Sequence, residues 1–287
     1  MNIVQIYREF PTEESCITHI EDIRWHGKPV CPYCKSISHT AMPKEGRYHC
    51  NRCNTSYSVT VGTIFHKTKV DLQKWFLAVS LVLNARKGIS ARQLARDLEV
   101  NKNTGWFMLM RIRQAMLEQG ELLKGIVEAD ETYIGGKEKN KHNDKRGGGT
   151  QGRSLSSKVA VAGVLERGGK VRARKVKDVK RATLQPLIRQ LVRGDSTIIT
   201  DEWLSYNGLD KHFIHERVNH SHSEYVRGNI HTNSIESFWA LLKRGIVGQY
   251  HKVSARHLDK YITEFAFRYN NRDISNAFNL ALKKAVS

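Results

Sequence analysis

Three acidic side chains and one lysine in this sequence have the types and spacing needed for phosphate chemistry. Glu236 and Lys243 are seven residues apart in the segment 231–245, whose apolar pattern is helical, so they fall two turns apart on one helix face. Asp130 and Asp201 each follow an apolar run that is typical of a β-strand. Carboxylate oxygens are the ligands that Mg²⁺ prefers in proteins. Three carboxylates on separate elements therefore indicate a magnesium site.

Such a site is suited to breaking a phosphodiester bond. Two Mg²⁺ ions about 4 Å apart stabilise the attacking and leaving oxygens of that reaction. Alternate residues of a strand share a face, so Glu128 and Asp130 point to one side and Glu131 to the other. Asp201 lies beside Asp130 if the two strands pair, and Glu236 then approaches from a helix across the sheet. A capping or surface role is more common for any single acid, but the combination favours a metal site.

The composition favours a polyanionic partner. The 287 residues include 47 Lys plus Arg against 28 Asp plus Glu, a formal charge of +19, and 40% of the residues are hydrophobic. Cations placed near phosphates release condensed counterions, so nucleic acid is the expected partner. No apolar run approaches the ~20 residues that span a bilayer, and the N-terminus has no secretory signal pattern. We expect a cytoplasmic protein with no membrane attachment.

Four of the five cysteines have the spacing of a zinc site. We predict a zinc ribbon in residues 1–66, with a helix over residues 12–25 and hairpin strands at 48–50 and 57–61. Because so short a unit cannot build a core, the zinc is expected to be structural. The fifth cysteine, Cys16, is expected to be a buried helical residue. The four predicted ligands form two CxxC pairs, Cys31 with Cys34 and Cys50 with Cys53.

Residues 67–124 have a helical pattern that includes a helix-turn-helix signature. Ser90 is placed to cap the first helix, Leu94 and Leu98 to pack it, and residues 101–113 to form the recognition helix. A plain helical hairpin is the alternative, and the basic charge favours the DNA-binding interpretation. The polar side chains expected to face DNA are Lys102, Asn103, Arg111 and Arg113.

Residues 125–287 alternate predicted strands and helices, which indicates an α/β domain. The predicted strands are 125–134, 159–165, 171–176 and 197–200, and the predicted helices are 181–193, 234–244 and 255–269. The segment 135–158 differs, because glycines are interleaved with lysines and arginines and no core can form there. A basic insertion that reaches a DNA backbone and a solvated linker are equally good interpretations of this segment. Trp239 is expected to pack in the core, whereas Trp203 is better placed to contact DNA.

Four motifs together carry a family resemblance. They are Cys-Pro-Tyr-Cys at 31–34, Glu-Ala-Asp-Glu-Thr-Tyr-Ile-Gly-Gly at 128–136, Thr-Asp-Glu-Trp at 200–203, and His-Thr-Asn-Ser-Ile-Glu-Ser-Phe-Trp at 231–239, which Leu-Lys-Arg-Gly follows. With these motifs, nearly the whole chain resembles bacterial insertion-sequence transposases of the zinc-ribbon DDE kind, the ISXO-type group.

The resemblance implies an RNase H-like catalytic domain in which Asp130, Asp201 and Glu236 bind Mg²⁺, or Mn²⁺ in its place. Asn233, one turn before Glu236, is a second candidate for the third position. Lys243 matches a basic residue that contacts DNA near the transposon end, and the adjacent Arg244 is a further DNA-binding candidate.

The implied activity is binding of terminal repeats, cleavage of transposon ends and strand transfer into target DNA, with at least a dimer on double-stranded DNA. Two alternatives remain open. One is a DNA-binding regulator derived from a transposase, and the other is a structure-selective RNase H-like nuclease.

Overall fold

The computed structural model of the chain describes residues 1–118, 120–136, 158–218 and 230–287. They form two compact units, residues 1–116 with 273–287 and residues 117–272. Most of the predicted basic insertion, residues 137–157, lies outside the described residues. None of the helices in the described ranges has the length and apolar character needed to cross a membrane.

Within the described residues, groups of helices and groups of strands follow one another along the chain. The helices are α1 (Ile3–Glu9), α2 (Glu13–Trp25), α3 (Leu72–Asn84), α4 (Ala91–Asp97), α5 (Lys102–Ala115), α6 (Arg181–Leu191), α7 (Asn233–Gly245), α8 (Leu258–Asn270) and α9 (Ala277–Val286). The strands are β1 (His39–Met42), β2 (Arg47–Cys50), β3 (Thr55–Tyr57), β4 (Ile126–Gly135), β5 (Lys158–Glu166), β6 (Val171–Val176), β7 (Thr197–Thr200) and β8 (Ile214–Arg217).

The first unit contains a small antiparallel sheet of order β1-β2-β3. The prediction of a strand over residues 57–61 is wrong, because β3 ends at Tyr57 and the chain then turns. The Ser58 hydroxyl hydrogen-bonds the Thr60 hydroxyl at 2.8 Å, and the Thr63 hydroxyl donates to the Thr60 carbonyl at 2.7 Å. Such local hydroxyl bonds compete with strand pairing.

Helices pack around α3 in the same unit. The helix predicted over residues 12–25 is present as α2. Thr12 caps this helix, and the Thr12 hydroxyl accepts a hydrogen bond from the Ser15 amide. Phe278 of α9 stacks against Phe10 and meets Phe76 edge-on. The C-terminal helix therefore belongs to the first unit, whereas the sequence grouped it with the catalytic domain. Its apolar face, which includes Leu282 at 0% exposure, is buried against α2, α3 and α5.

Helices α4 and α5 form the predicted helix-turn-helix pair. The Ser90 hydroxyl accepts the Gln93 amide at 3.1 Å, and Leu94 and Leu98 are buried. A Cβ atom at Gly105 would lie 2.8 Å from the Ala91 carbonyl oxygen. Glycine therefore allows α5 to approach α4 closely.

The second unit is a five-stranded mixed sheet of order β6-β5-β4-β7-β8. Strands β4, β5 and β6 form an antiparallel meander, while β7 pairs in parallel with both β4 and β8. This order and these directions are those of an RNase H-like fold, and they confirm the predicted α/β class. The short strand β8 was not predicted.

Helices cover both faces of this sheet. On one face, Leu184 and Ile188 of α6 pack against Val127 and Ile198. On the other face, α7 packs against β4 and β5 and α8 packs against β6, with Val161 and Phe238 both fully buried. Helix α7 therefore lies across the sheet. This is the position expected from the sequence if Glu236 is to approach β4.

Candidate metal-dependent active site

The three acids singled out in the sequence line one polar cleft of the second unit. The cleft has a volume of about 390 Å³. It lies where β4 and the end of β7 meet α7. Its lining comprises Asp130, Glu131, Thr132, Asp201, Thr232, Glu236, Trp239, Ala240 and Lys243.

Strand pairing brings Asp130 and Asp201 together. Parallel pairing of β4 with β7 aligns Glu128 with Ile199, so Asp130 and Asp201 occupy the same level two residues further along. The pairing on which the sequence made the meeting of the two acids conditional is thus present. Asp201 follows β7 directly, and its carboxylate accepts the backbone amide of Trp203 at 3.0 Å. That hydrogen bond fixes the orientation of the carboxylate at the end of the strand.

Asp130 is held by α7 and lies near two other acids. The Trp239 indole N–H donates to its Oδ2 at 2.9 Å. Burial, together with the nearby charges of Glu131 and Asp201, raises the pKa of Asp130 to about 7. Both causes disfavour the charged carboxylate, and a bound cation would offset them.

A glycine on the neighbouring strand makes room for that indole. Gly163 of β5 is the cross-strand partner of Asp130, and a Cβ atom there would lie 2.7 Å from the Trp239 ring. Trp239 is 3% exposed and belongs to the core with Leu242 and Ile246. The predicted packing role of Trp239 is confirmed, but the sequence missed its hydrogen bond to Asp130.

We expect Trp239→Phe to lower the activity of the site more than its stability. Phenylalanine keeps most of the packing but removes the donor that orients Asp130. Loss of a group that orients a metal ligand costs roughly 10- to 100-fold in activity or metal affinity. Single-turnover DNA cleavage at several Mg²⁺ concentrations, with a thermal melt of each protein, measures both effects. An unchanged rate and metal requirement would contradict the orienting role.

Helix α7 supplies the third acid and the lysine. The Thr232 hydroxyl donates to Glu236 Oε1 at 2.8 Å. Partial burial lowers the pKa of Lys243, and Asp130 acts in the opposite direction. Asn233 is exposed and is not among the described residues that line the cleft. Glu236 is therefore better placed than Asn233 for the third position.

The chemistry of these acids fits Mg²⁺. Carboxylates in a polar cleft are hard oxygen ligands, and the burial of Asp130 gives a cation a stabilising role. The three acids do not form a preassembled cage, since within the described ranges only the four cysteines bring three or more ligand atoms within 4.8 Å of one another.

Glu131 faces away from α7, as strand alternation predicted, although its carboxylate borders the cleft. The Tyr206 hydroxyl, in a fully buried side chain, donates to Glu131 Oε2 at 2.7 Å. Burial and then the charge of Glu131 raise the pKa of Tyr206, so the hydroxyl stays a donor. Sequence reasoning missed Tyr206, because its 3₁₀ turn, Leu204–Tyr206, has no motif of its own.

The four clustered cysteines have the geometry of a tetrahedral zinc site. The Cys31 and Cys53 sulfurs are 3.7 Å apart and the Cys34 and Cys50 sulfurs 3.5 Å apart. A disulfide needs about 2.05 Å, whereas Zn–S bonds of about 2.3 Å in a tetrahedron place sulfurs about 3.8 Å apart. All four cysteines are free thiols. Cys16 lies outside the cluster, and burial raises the pKa of its thiol to about 12.

The two CxxC turns share one backbone design. Lys35 and Asn54, each immediately after a pair, have left-handed φ angles of 61° and 55°. Their amides donate to the carbonyls of Cys31 and Cys50, both at 2.9 Å. These matched turns aim both thiol pairs at one point.

The predicted DNA-facing residues of α5 divide into two groups. Lys102 and Asn103 are exposed at the start of the helix. The prediction that Arg111 and Arg113 are exposed is wrong. Arg113 is 1% exposed, and half-buried Arg111 donates to the carbonyls of Ile64 and His66. The helical period turns both arginines toward the packed side of α5, whose buried positions include residues 108–110 and 112.

Comparison with known proteins relates both parts of the chain to transposable elements. The sequence profile of the ISXO2-like transposase domain matches residues 122–270, and that of the transposase zinc-ribbon domain matches residues 11–56. The first match spans more than half of the chain.

Two relatives agree with these profiles. An uncharacterized protein in transposable element ISH50 of Halobacterium salinarum is 29% identical over 273 residues, 91% of this chain and 92% of that protein. An uncharacterized transposase-like protein of Haemophilus influenzae is 35% identical over 112 residues, 39% of this chain and 89% of that protein. A pre-cleavage Mos1 transpososome structure aligns at 12% identity with 73% of this chain and 78% of that chain, with a TM-score of 0.29.

Proposed function

Because the chain belongs to the family of ISXO2-like transposases, we propose that it binds the terminal repeats of an insertion sequence and catalyses metal-dependent end cleavage and strand transfer. The observation that carries this proposal is the meeting of Asp130, Asp201 and Glu236, from two strands and one helix, in a single polar cleft.

In the proposed mechanism, Asp130, Asp201 and Glu236 would hold Mg²⁺, or Mn²⁺ in its place. Cations held there would neutralise charge on the attacking and leaving oxygens. Water attacks the phosphorus at the transposon end, and the bond to the leaving oxygen breaks to free a 3′-hydroxyl. That hydroxyl then attacks a target phosphodiester, which forms one new P–O bond and releases another 3′-hydroxyl. No covalent protein intermediate is needed.

The chain's own residues prepare the site for these steps. Trp239 orients Asp130, and the Trp203 amide orients Asp201. Lys243 lines the cleft beside the acids, where its ammonium group would neutralise a DNA phosphate near the reacting bond. Arg244 is exposed at the next position and extends this basic surface.

DNA binding is proposed to involve α5 as well. Lys102 and Asn103 are exposed in its first turn, where recognition helices contact base edges. The net charge of +19 favours binding to the DNA backbone. Since strand transfer joins two ends, we propose at least a dimer on DNA. A sizing profile in which the DNA complex contains only a monomer would contradict that state.

The test uses three DNA substrates of equal length with Mg²⁺. One carries the element's own ends, one carries the same ends scrambled, and one is branched without the ends. We expect cleavage and joined product only with the native ends. Cleavage of the branched DNA without joining would favour the nuclease alternative, and tight end binding with no cleavage would favour the regulator.

A further inference from the structure

We infer that Glu128 is a positioning residue that anchors the start of α7 and thereby sets the place of Glu236 relative to Asp130. This inference rests on the proposed function, because Glu236 and Asp130 are two of its three metal-binding acids. Sequence reasoning treated Glu128 only as a neighbour of Asp130 on one strand face.

The Glu128 carboxylate is fully buried and its hydrogen-bonding capacity is filled. Its Oε1 accepts the Arg167 Nε–H and the Ser234 hydroxyl, both at 3.0 Å. Its Oε2 accepts the backbone amides of Ser234 and Ile235, both at 2.9 Å. A carboxylate offers about four lone-pair sites, so these four donors leave none for a metal ion. Glu128 is therefore excluded as a ligand, and Asp130 remains the ligand candidate on this strand face.

Helix α7 depends on this distant carboxylate because it lacks a local cap. Thr232 occupies the N-cap position without a capping hydrogen bond, since its hydroxyl donates to Glu236 instead. The first amides of a helix have no partner within the helix and carry partial positive charge. Glu128, 106 residues before Ser234 in the chain, accepts the second and third of these amides, those of Ser234 and Ile235. A capping interaction is thus supplied by the central strand of the sheet.

Arg167 closes the other side of this junction. Its guanidinium donates to Glu128 and, at 2.9 Å, to the His231 carbonyl just before α7. The Glu128–Arg167 pair neutralises the buried charge, while the second bond holds the approach to the helix. The start of α7 is therefore held at two places. Arg167 binds the His231 carbonyl before the helix, and Glu128 binds the Ser234 and Ile235 amides in its first turn.

This junction couples the metal-binding candidates. Glu128 and Asp130 are two residues apart on one face of β4, and Ser234 and Glu236 are two residues apart at the start of α7. Ser234 donates hydrogen bonds to Glu128 across the junction. Asp130 and Glu236 both line the cleft. Any shift of α7 along β4 moves Glu236 relative to Asp130 by the same distance.

The test compares the full-length protein with Glu128→Gln and Ser234→Ala. Glutamine keeps the shape of Glu128 but removes its charge and half of its acceptor oxygens, whereas Ser234→Ala removes one of the four hydrogen bonds. Three quantities are measured for each protein: single-turnover end cleavage over a range of Mg²⁺ concentrations, end binding, and amide hydrogen exchange of residues 231–238.

We expect Glu128→Gln to slow cleavage by about 10²-fold, the effect of displacing a reacting group by about 1 Å. Half-maximal cleavage should need more Mg²⁺, the first amides of α7 should exchange faster, and end binding should be unchanged. Ser234→Ala should change the cleavage rate, the Mg²⁺ requirement and the amide exchange in the same directions, but by smaller amounts. Glu166→Gln is the matched control, because Glu166 ends the adjacent strand and accepts the Lys124 amide rather than an amide of α7.

Three outcomes overturn the inference. Wild-type Mg²⁺ dependence in both variants would show that Glu128 does not place the metal-binding acids, even if rate and melting temperature fall together. Unchanged exchange of residues 231–238 in Glu128→Gln would show that it does not anchor α7. If Glu128→Gln does not fold, wild-type behaviour of Ser234→Ala decides against the inference. Absence of cleavage by the wild-type protein would instead overturn the proposed function, and the exchange result would still decide the anchoring.

Discussion

Asp130→Asn is expected to reduce end cleavage and strand transfer by at least roughly 10³-fold while the protein stays folded. Metal ions at such sites supply several kcal/mol of transition-state stabilisation, and each 1.36 kcal/mol is about tenfold in rate. The substitution keeps the size of the side chain and an oxygen that can accept the Trp239 N–H. It removes the negative charge that would hold Mg²⁺. Gel-based strand transfer with labelled transposon ends measures the loss.

The same substitution is expected to stabilise the metal-free protein above neutral pH. The pKa of Asp130 is raised from 3.8 to about 7 in the folded chain. The folded state therefore holds this proton more tightly than the unfolded state, and the free energy of unfolding falls as the pH rises from about 4 to about 7. Asparagine has no charge to bury, so its advantage in melting temperature should be full at pH 8 and smaller at pH 5.

Asp195→Asn provides the control for both measurements. Asp195 is an exposed acid of the same unit and pairs with Arg193 at 2.5 Å. An exposed ion pair contributes little to stability, so activity and melting temperature should remain near those of the wild type. A wild-type rate of strand transfer by Asp130→Asn would show that Asp130 is not a ligand of the proposed metal site. A melting-temperature difference that does not change with pH would contradict the raised pKa.

Loss of the zinc-ribbon metal site is the second prediction with a large effect. We expect Cys50→Ser to abolish tight zinc binding, unfold residues 28–58 and weaken binding to transposon ends. Cys50 is fully buried within the cysteine cluster, and the Cys53 and Arg52 amides help to lower the pKa of its thiol to about 6. Units of this size have too little core to fold without their metal. Zinc content by mass spectrometry, limited proteolysis and end-binding titrations measure the three effects.

Cys16→Ala is the matched control for that experiment. Cys16 is buried in α2 and lies outside the cluster, so its replacement should leave the zinc content unchanged. Wild-type zinc content and protease resistance in Cys50→Ser would contradict the structural role of the site. If zinc-free Cys50→Ser bound transposon ends with wild-type affinity, the folded zinc ribbon would not be needed for that binding.

The sequence was sufficient to predict the strands and helices that carry strong apolar patterns. Strands β6 and β7 have the predicted bounds, and β4, β5, α6 and α7 deviate by at most two residues at either end. The acids at the ends of two apolar runs could meet only if β4 and β7 paired, and the structure shows that pairing. The two CxxC pairs were equally informative, because their spacing determines the geometry of the turns that carry the ligands.

Long-range partners could not be predicted from local pattern. The bonds from Trp239 to Asp130 and from Ser234 to Glu128 span 109 and 106 residues. Both bonds depend on how α7 lies across the sheet, which no local period encodes. Arg113 was misjudged because a charged residue is expected at the surface, whereas the packing of α5 buries it. The packing of α9 with the first unit likewise depends on tertiary contacts.

The central claim is that the three acids hold the metal ions of a DNA strand-transfer reaction. The most direct measurement is a strand-transfer assay with the element's own ends, with and without Mg²⁺, on the wild-type protein and Asp201→Asn. We expect joined product only from the wild-type protein with Mg²⁺. Equal joining by Asp201→Asn, or joining by the wild-type protein without any divalent cation, would contradict the proposed metal site.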